Sequence, residues 1–240
     1  MLIYNELKNK PREFLAATGL KVDEFEQLLP AFQMAYKKKY PPHLTQEGKT
    51  RQRQTGGGAT GALPKIEDKL FFILVDQKTN PLQTMHGLQF GWSQPQANDW
   101  LHRLLPVLPQ ALHALGEAPE RDARRVATSA LACAGGPDLT IDGSEHRRQR
   151  PKENVKQKKH YSGKKKAHTD KNILLVNANT KKVVYLSPTV AGTTHDKKAT
   201  DDAPIASPNN ATLDKDPGFQ GYEPAGTQTR QPQKSPKVKS

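Results

Sequence analysis

The chain has 240 residues, of which 34% are hydrophobic, and carries a net charge of +13 at a mean hydropathy of −0.80. These totals allow one large domain or two small ones, confine any core to part of the chain, and favour nucleic acid, ahead of an anionic membrane surface, as partner. No apolar run approaches the ~18 residues of a membrane span, no signal-peptide pattern opens the chain, and a single cysteine, Cys133, excludes an internal disulfide or a cysteine-based zinc site, so a cytoplasmic, nucleoid-associated setting is expected.

Residues 1–40 predict two short helices, with Phe25, Leu28, Leu29 and Phe32 on one face and Asp23 placed as a cap. Pro41-Pro42 opens a loop over 41–64 that carries the basic run Lys49-Thr50-Arg51-Gln52-Arg53 and the flexible Gly56-Gly57-Gly58. A helix over 65–79 presents Ile66, Leu70, Ile73 and Leu74 on one side and breaks at Asn80-Pro81; another runs over 82–88. Phe90-Gly91-Trp92 reads as a turn, Ser93 as an N-cap, and Pro95 lies in the first turn of a helix with Ala97, Trp100, Leu101, Leu104 and Leu105 at helical spacing. Helix, glycine turn and capped helix is the layout of a helix-turn-helix, a layout that helical hairpins of all-α cores share. In a helix-turn-helix, Gln94, Gln96, Asn98 and Asp99, with Arg103 nearby, would face the groove or the DNA backbone, and Gln and Asn suit adenine edges. Trp92 and Trp100 are assigned to the core.

A further helix spans 108–115, and 116–137 reads as a connecting region. After Gly135-Gly136-Pro137 the texture changes: 139–142, 173–178 and 183–186 predict strands, with a hairpin turn over 177–182. From Glu223 onward the chain is rich in Pro, Gln, Thr and Lys and is expected to be disordered.

Leu139-Thr140-Ile141-Asp142-Gly143 is a short apolar strand that delivers a carboxylate to its exposed end. Directly after it, His146 to Lys171 hold eleven Lys/Arg against Glu153 and Asp170. A carboxylate beside such a strip suggests metal-assisted chemistry on a polyanion, with DNA the obvious substrate. Asp196 and Asp216 are the other candidate metal acids, with Asp214 a rival to Asp216; hard cations such as Mg²⁺ take carboxylate oxygens and retain waters. A lone strand-end Asp is otherwise a turn cap. Arg147, Arg148, Arg150, Lys164, Lys165 and Lys166 are assigned to phosphate contact rather than to a merely solvated hairpin, and His160 and Tyr161 either stack on a base or pack. Three superficial matches fail. Gly56-x-Gly58-x-x-Gly61 follows no strand, His43 stands where a P-loop ending at Gly48-Lys49-Thr50 needs glycine, and His86, His102 and His113 lack paired ligand spacing. Cys133 is expected to be an inert packing residue.

Several segments together resemble the DDE transposases of bacterial insertion sequences, in the group related to the PIF/Harbinger superfamily endonucleases. They are Leu63-Pro64-Lys65-Ile66-Glu67-Asp68-Lys69-Leu70, Asn80-Pro81-Leu82-Gln83 and Phe90-Gly91-Trp92-Ser93-Gln94 in the first half. In the second half they are Ile141-Asp142-Gly143-Ser144-Glu145-His146-Arg147-Arg148, Tyr161-Ser162-Gly163-Lys164-Lys165-Lys166, Gly192-Thr193-Thr194-His195-Asp196 and Gly218-Phe219-Gln220-Gly221-Tyr222. The resemblance implies a ribonuclease H-like domain that holds Mg²⁺ or Mn²⁺ through a DDE triad and cuts and joins transposon ends. By it Asp142 is the first catalytic acid, Asp216 the second, and Asp196 a supporting or alternative metal ligand. The third acid of the family, a Glu on a later helix, has no counterpart before Ser240, and Glu223 is a poor substitute, so a truncated or frameshifted copy is expected.

The expected protein is thus α+β. Residues 1–62 form N-terminal helices and a basic linker, and 63–116 an all-helical helix-turn-helix DNA-binding domain. Residues 137–222 form an incomplete α/β ribonuclease H-like catalytic domain, and 223–240 a disordered tail. The expected function is a transposase acting on double-stranded DNA, with homo-oligomers implied by the family alone. The alternative is a catalytically inactive DNA-binding protein, and an RNA-binding module is a weaker third reading because no aromatic strand platform is evident.

Overall fold

Residues 1–45, 48–52, 63–202 and 204–232 are described in a computed structural model of the chain. Arg53, the glycines between Gly56 and Gly61, and residues 233–240 of the expected tail lie outside the described residues. Two units divide the chain, Met1–Ala118 and Pro119–Ser240.

The first unit is helical: α1 (Tyr4–Leu7), α2 (Pro11–Thr18), α3 (Val22–Lys39), α4 (Ile66–Thr79), α5 (Gln83–Phe90), α6 (Gln94–Leu104) and α7 (Leu108–Ala114). Residues 1–40 therefore hold three helices where periodicity predicts two, because Gly19 takes the left-handed conformation (φ 75°) and stops α2. Asp23 does not cap α3. That helix starts two residues earlier than such a cap implies, with Lys21 as N-cap, and the Lys21 N–H donates to Glu24 Oε2 at 2.7 Å. Leu70 through Val75 of α4 are all buried, so α4 is apolar around its circumference and occupies the centre of the unit. Phe71 packs against Tyr4 and Phe14, and both of these contact Phe25. Helices from 1–40 and from 63–116 thus share one core, and the boundary expected at residue 62 does not separate two domains.

Asn80 (φ 43°) ends α4 and Gly91 (φ 74°) ends α5, both left-handed. The turn after α5 folds back on it: the Trp92 N–H donates to Gly87 O at 2.8 Å, and a side chain at Gly87 would meet Trp92 O at 2.8 Å. Glycine at 87 is what lets the turn and the start of α6 approach α5 so closely.

The second unit begins before the expected residue 137. A 3₁₀ turn over Ala123–Thr128 and helix α8 (Ala130–Cys133) bury Val126, Leu131 and Ala132 in its core, so 116–137 is not a bare connector. Cys133 itself is exposed, contrary to the packing role expected for it. The remaining elements are β1 (Asp138–Arg147), α9 (Asn154–His160), β2 (Tyr161–Ser162), β3 (Ala167–Asn177), β4 (Val183–Leu186), β5 (Val190–Ala191), α10 (Asp196–Asp201), β6 (Ala211–Lys215) and β7 (Thr227–Arg230). The sheet runs β2-β3-β1-β6-β7, with β4 and β5 also paired to β3. β3 is antiparallel to β1, whereas β6 is parallel to β1 and β7 is parallel to β6. The expected strands are present: β1 and β3 are longer than periodicity predicts, and β4 spans the expected 183–186. The turn at 177–182 is held by Asn177, whose Oδ1 accepts from the Asn179 and Thr180 N–H groups and whose Nδ2 donates to Ala134 O. The disorder expected from 223 is corrected in part, because Thr227–Arg230 add a parallel strand to β6.

Leu139 and Ile141 of β1, Ile173 and Leu175 of β3, and Ala211 and Leu213 of β6 form one buried face of the sheet, packed against Ala199, Ile205, Phe219 and Tyr222. Strand side chains alternate, so the residues between them emerge on the other face.

Candidate functional site

Asp142 stands on that other face. On β1 Leu139 and Ile141 are buried while Thr140 and Asp142 are exposed. On β6 Leu213 and Lys215 are buried, which leaves Asp214 on the opposite side. The parallel register pairs Thr140 with Asp214 and Ile141 with Lys215. One step further along both strands come Asp142 and Asp216. Two carboxylates far apart in sequence therefore lie one step past the last β1–β6 pair, Asp142 in the middle of β1 rather than at the strand end expected for it and Asp216 just after β6, and with Asp214, Thr140 and Arg230 they line one open cleft. Asp214 accompanies Asp216 there.

Each carboxylate also makes a local bond. Asp142 Oδ1 accepts from the Gly143 N–H at 2.7 Å, and Asp216 Oδ1 accepts from the Gly218 N–H at 2.8 Å, capping the short 3₁₀ turn Pro217–Phe219. Asp216 is thus a turn cap and a cleft residue at once. Among the described residues no Lys, Arg or His forms an ion pair with either acid.

Asp196 is placed differently. It opens α10, and its Oδ1 accepts from Lys171 Nζ at 2.8 Å. The Lys171 side chain is 8% exposed, so its charge depends on protein partners: it also donates to Thr194 O at 2.9 Å and lies 3.7 Å from Glu145 Oε1. Lys171 belongs to the basic strip by sequence yet is withdrawn from its surface. Gly192 brings the loop before α10 onto β3, where its N–H donates to Thr169 O at 3.0 Å.

The resemblance implies a divalent metal. No group of three or more His, Cys, Asp or Glu side chains suited to a metal ion occurs among the described residues. Asp142 and Asp216 nonetheless fit a hard divalent cation, which is commonly held by one or two carboxylates and completed by water and substrate phosphate. Glu223 is engaged elsewhere, with Lys215 and with Thr229 Oγ1. Those two bonds hold its carboxyl below the usual range, Lys215 contributing most.

The basic residues divide by their partners. Lys164, Lys165 and Lys166 lie exposed in the turn between β2 and β3, and Arg147 is exposed at the end of β1. Arg148 is committed: its Nη1 donates to Asp170 Oδ1 at 3.0 Å, and His160 Nδ1 lies 2.8 Å from the same oxygen. Arg150 Nε donates to Gln157 Oε1 at 3.0 Å. His160 is therefore fixed by Asp170, while Tyr161 is exposed and meets the His168 ring edge-on.

In the helical unit, Gln94 and Asn98 are joined through Gln83 of α5, whose part in this network no sequence pattern marks. Gln94 Nε2 donates to Gln83 Oε1 at 2.6 Å, and Gln83 Nε2 donates to Asn98 Oδ1 at 3.0 Å. Gln96 takes part in a capping box, its Oε1 accepting from the Ser93 N–H at 3.1 Å. Arg103 lies over the Trp100 ring at 5.2 Å. Arg230 also belongs to the candidate site, in a segment for which the sequence predicts a tail: the four residues of β7 are polar and carry no apolar signal.

Residues 141–234 match the family model described as DDE superfamily endonuclease, a stretch that begins at Ile141 and contains Asp142, Asp196, Asp214 and Asp216. No curated protein and no solved structure matches the chain. The match supports a DDE superfamily endonuclease domain over that stretch. No helix among the described residues is long and apolar enough to cross a membrane.

Proposed function

We propose that the chain is a transposase of the bacterial insertion-sequence type, related to the PIF/Harbinger group, with a ribonuclease H-like catalytic unit and a helix-turn-helix DNA-binding unit. The observation that carries this is the adjacency of Asp142 and Asp216 just past the last pair of the parallel β1–β6 ladder, inside the stretch matched as a DDE endonuclease. A mixed sheet with β1 at its centre supports the ribonuclease H-like reading.

In this reading Asp142 and Asp216 hold Mg²⁺ or Mn²⁺, with Asp196 in a supporting place. The bound ion supplies activation of the attacking hydroxyl and neutralisation of charge on the phosphodiester. The chain's own residues do the rest. Arg147 and Lys164–Lys166 bind and orient the DNA backbone, with Arg148 and Arg150 behind them, and Arg230 brings a cation into the cleft beside the acids. On α6, Gln94 and Asn98 read base edges, Gln96 caps the helix, and Arg103 approaches the backbone. A homo-oligomer acting at transposon ends in the nucleoid completes the proposal.

The test is Mg²⁺-dependent nicking of supercoiled DNA by the purified chain. Loss of nicking in Asp142→Ala, with salt-sensitive DNA binding retained, supports the enzyme. Nicking that survives Asp142→Ala sinks it. Binding without any nicking favours the second reading, a DNA-binding protein without catalysis, which the lack of a three-acid group among the described residues recommends.

A further inference from the structure

Each candidate catalytic acid is followed closely by a glycine, Gly143 directly after Asp142 and Gly218 two residues after Asp216. One residue fills the room that both glycines leave. A side chain built on Gly143 would meet Asp196 Oδ1 at 2.7 Å, and one built on Gly218 would meet Asp196 Oδ2 at 2.7 Å. A loose carboxylate would swing aside from such a contact. Asp196 is not loose, because Lys171 Nζ holds Oδ1 at 2.8 Å and is itself fixed by Thr194 O. Moving Asp196 would leave a buried ammonium short of its counter-ion, which is costly.

The place of this contact matters. The pairing of β1 with β6 ends at Ile141 and Lys215, one residue short of both acids. Beyond that point Asp142-Gly143 and Asp216-Pro217-Gly218 lie past the paired register, and the Asp196 carboxylate stands between them. It does so from the buried side of the sheet, since Gly143 alternates with Asp142 and shares its face with Ile141.

We propose that Asp196 is a positioning residue. Pinned by Lys171 and wedged between Gly143 and Gly218, it sets the separation at which Asp142 and Asp216 can share one divalent cation. This rests on the metal reading given above and assigns Asp196 a bracing role in place of direct ligation. Gly143 and Gly218 belong to the same device, because a methyl group at either would displace the brace.

Mn²⁺ binding by the full chain, followed by the electron paramagnetic resonance of the free ion, tests this. Asp142→Asn abolishes binding if the metal reading is right. Asp196→Asn and Gly143→Ala each weaken it by about 10-fold or more, the scale on which outer partners of metal ligands act. The double variant Lys171→Met/Asp196→Leu returns affinity to within about threefold of wild type, since a buried ion pair can be exchanged for apolar packing at little cost. A folded double variant as weak as Asp142→Asn makes Asp196 a ligand and overturns the brace, and so do single variants that bind as wild type does. Amide hydrogen exchange is the second readout, used if wild type binds no Mn²⁺, in which case the metal reading fails separately, or if the double variant does not fold. Asp196→Asn then has to speed exchange at the amides of Gly143 and Gly218, and unchanged exchange overturns the proposal.

Discussion

Asp214 and Arg230 are register partners across the parallel β6–β7 pair, and both line the cleft that receives Asp142 and Asp216. An arginine thus stands beside three acids on a sheet face where it can meet a phosphate that the acids alone would repel. Arg230→Ala is expected to weaken DNA binding uniformly across sequences and to lower the slope of log affinity against log salt by about 1. Titrations at several salt concentrations check this, and an unchanged slope removes Arg230 from the DNA interface.

Asp142 and Asp216 have opposite effects on binding and on chemistry. With divalent metal chelated, each carboxylate faces a polyanion without compensation, so Asp142→Asn and Asp216→Asn should bind DNA more tightly than wild type, by about 1 kcal/mol or less each, as expected for exposed charges a few ångströms apart in water. Weaker binding by either variant in chelator would place the DNA away from the cleft.

Gln94 and Gln96 are two residues apart on α6 but differ in their partners. Gln96→Ala removes the reciprocal cap at Ser93 and should cost about 1 kcal/mol of stability while leaving base preference alone. Gln94→Ala should barely alter stability and should relax preference at one base pair by about 1–3 kcal/mol. Thermal melts and a binding series over single-base substitutions separate the two. Altered preference in Gln96→Ala would contradict the capping role.

Glu223 links the stability of the second unit to pH. Its carboxyl is held below the usual range, first by Lys215 and then by Thr229, so the folded state binds this proton less readily than the unfolded chain does. The resulting stability is present above the unfolded pKa and is lost as pH falls through the lowered folded value. Denaturant melts between neutral and acid pH should show wild type losing more stability than Glu223→Gln. Because Glu223 is largely exposed the difference is small, but its sign is set, and the reverse sign would refute the linkage.

Much of the site was legible in linear order. The apolar alternation around Asp142, the basic residues after it and the glycine-marked segments around Asp196 and Asp216 all announce themselves locally. So does Ser93-Gln94-Pro95-Gln96, whose Ser-x-x-Gln spacing is a capping-box pattern and could have removed Gln96 from the readers of DNA. Arg230 was not legible. β7 is short and polar, and it exists because β6 offers it a free edge, so no pattern of its own signals a strand. The sharing of one core by 1–40 and 63–116 was equally hidden, since helical spacing tells which face is apolar but not which helix covers it.

Sequence by itself determined the longer helices and the strands β1, β3 and β4, the charge the chain carries and the residue types able to hold metal or touch phosphate, because these follow from side-chain chemistry and short-range periodicity. Tertiary structure alone decided which of them meet. Parallel pairing of β1 with β6 brings Asp142 level with Asp216, and the burial of Lys171 turns Asp196 from a free acid into one half of an ion pair. Both outcomes depend on strand register and on desolvation. Those are properties of contacts between distant segments, and no local window of residues contains them.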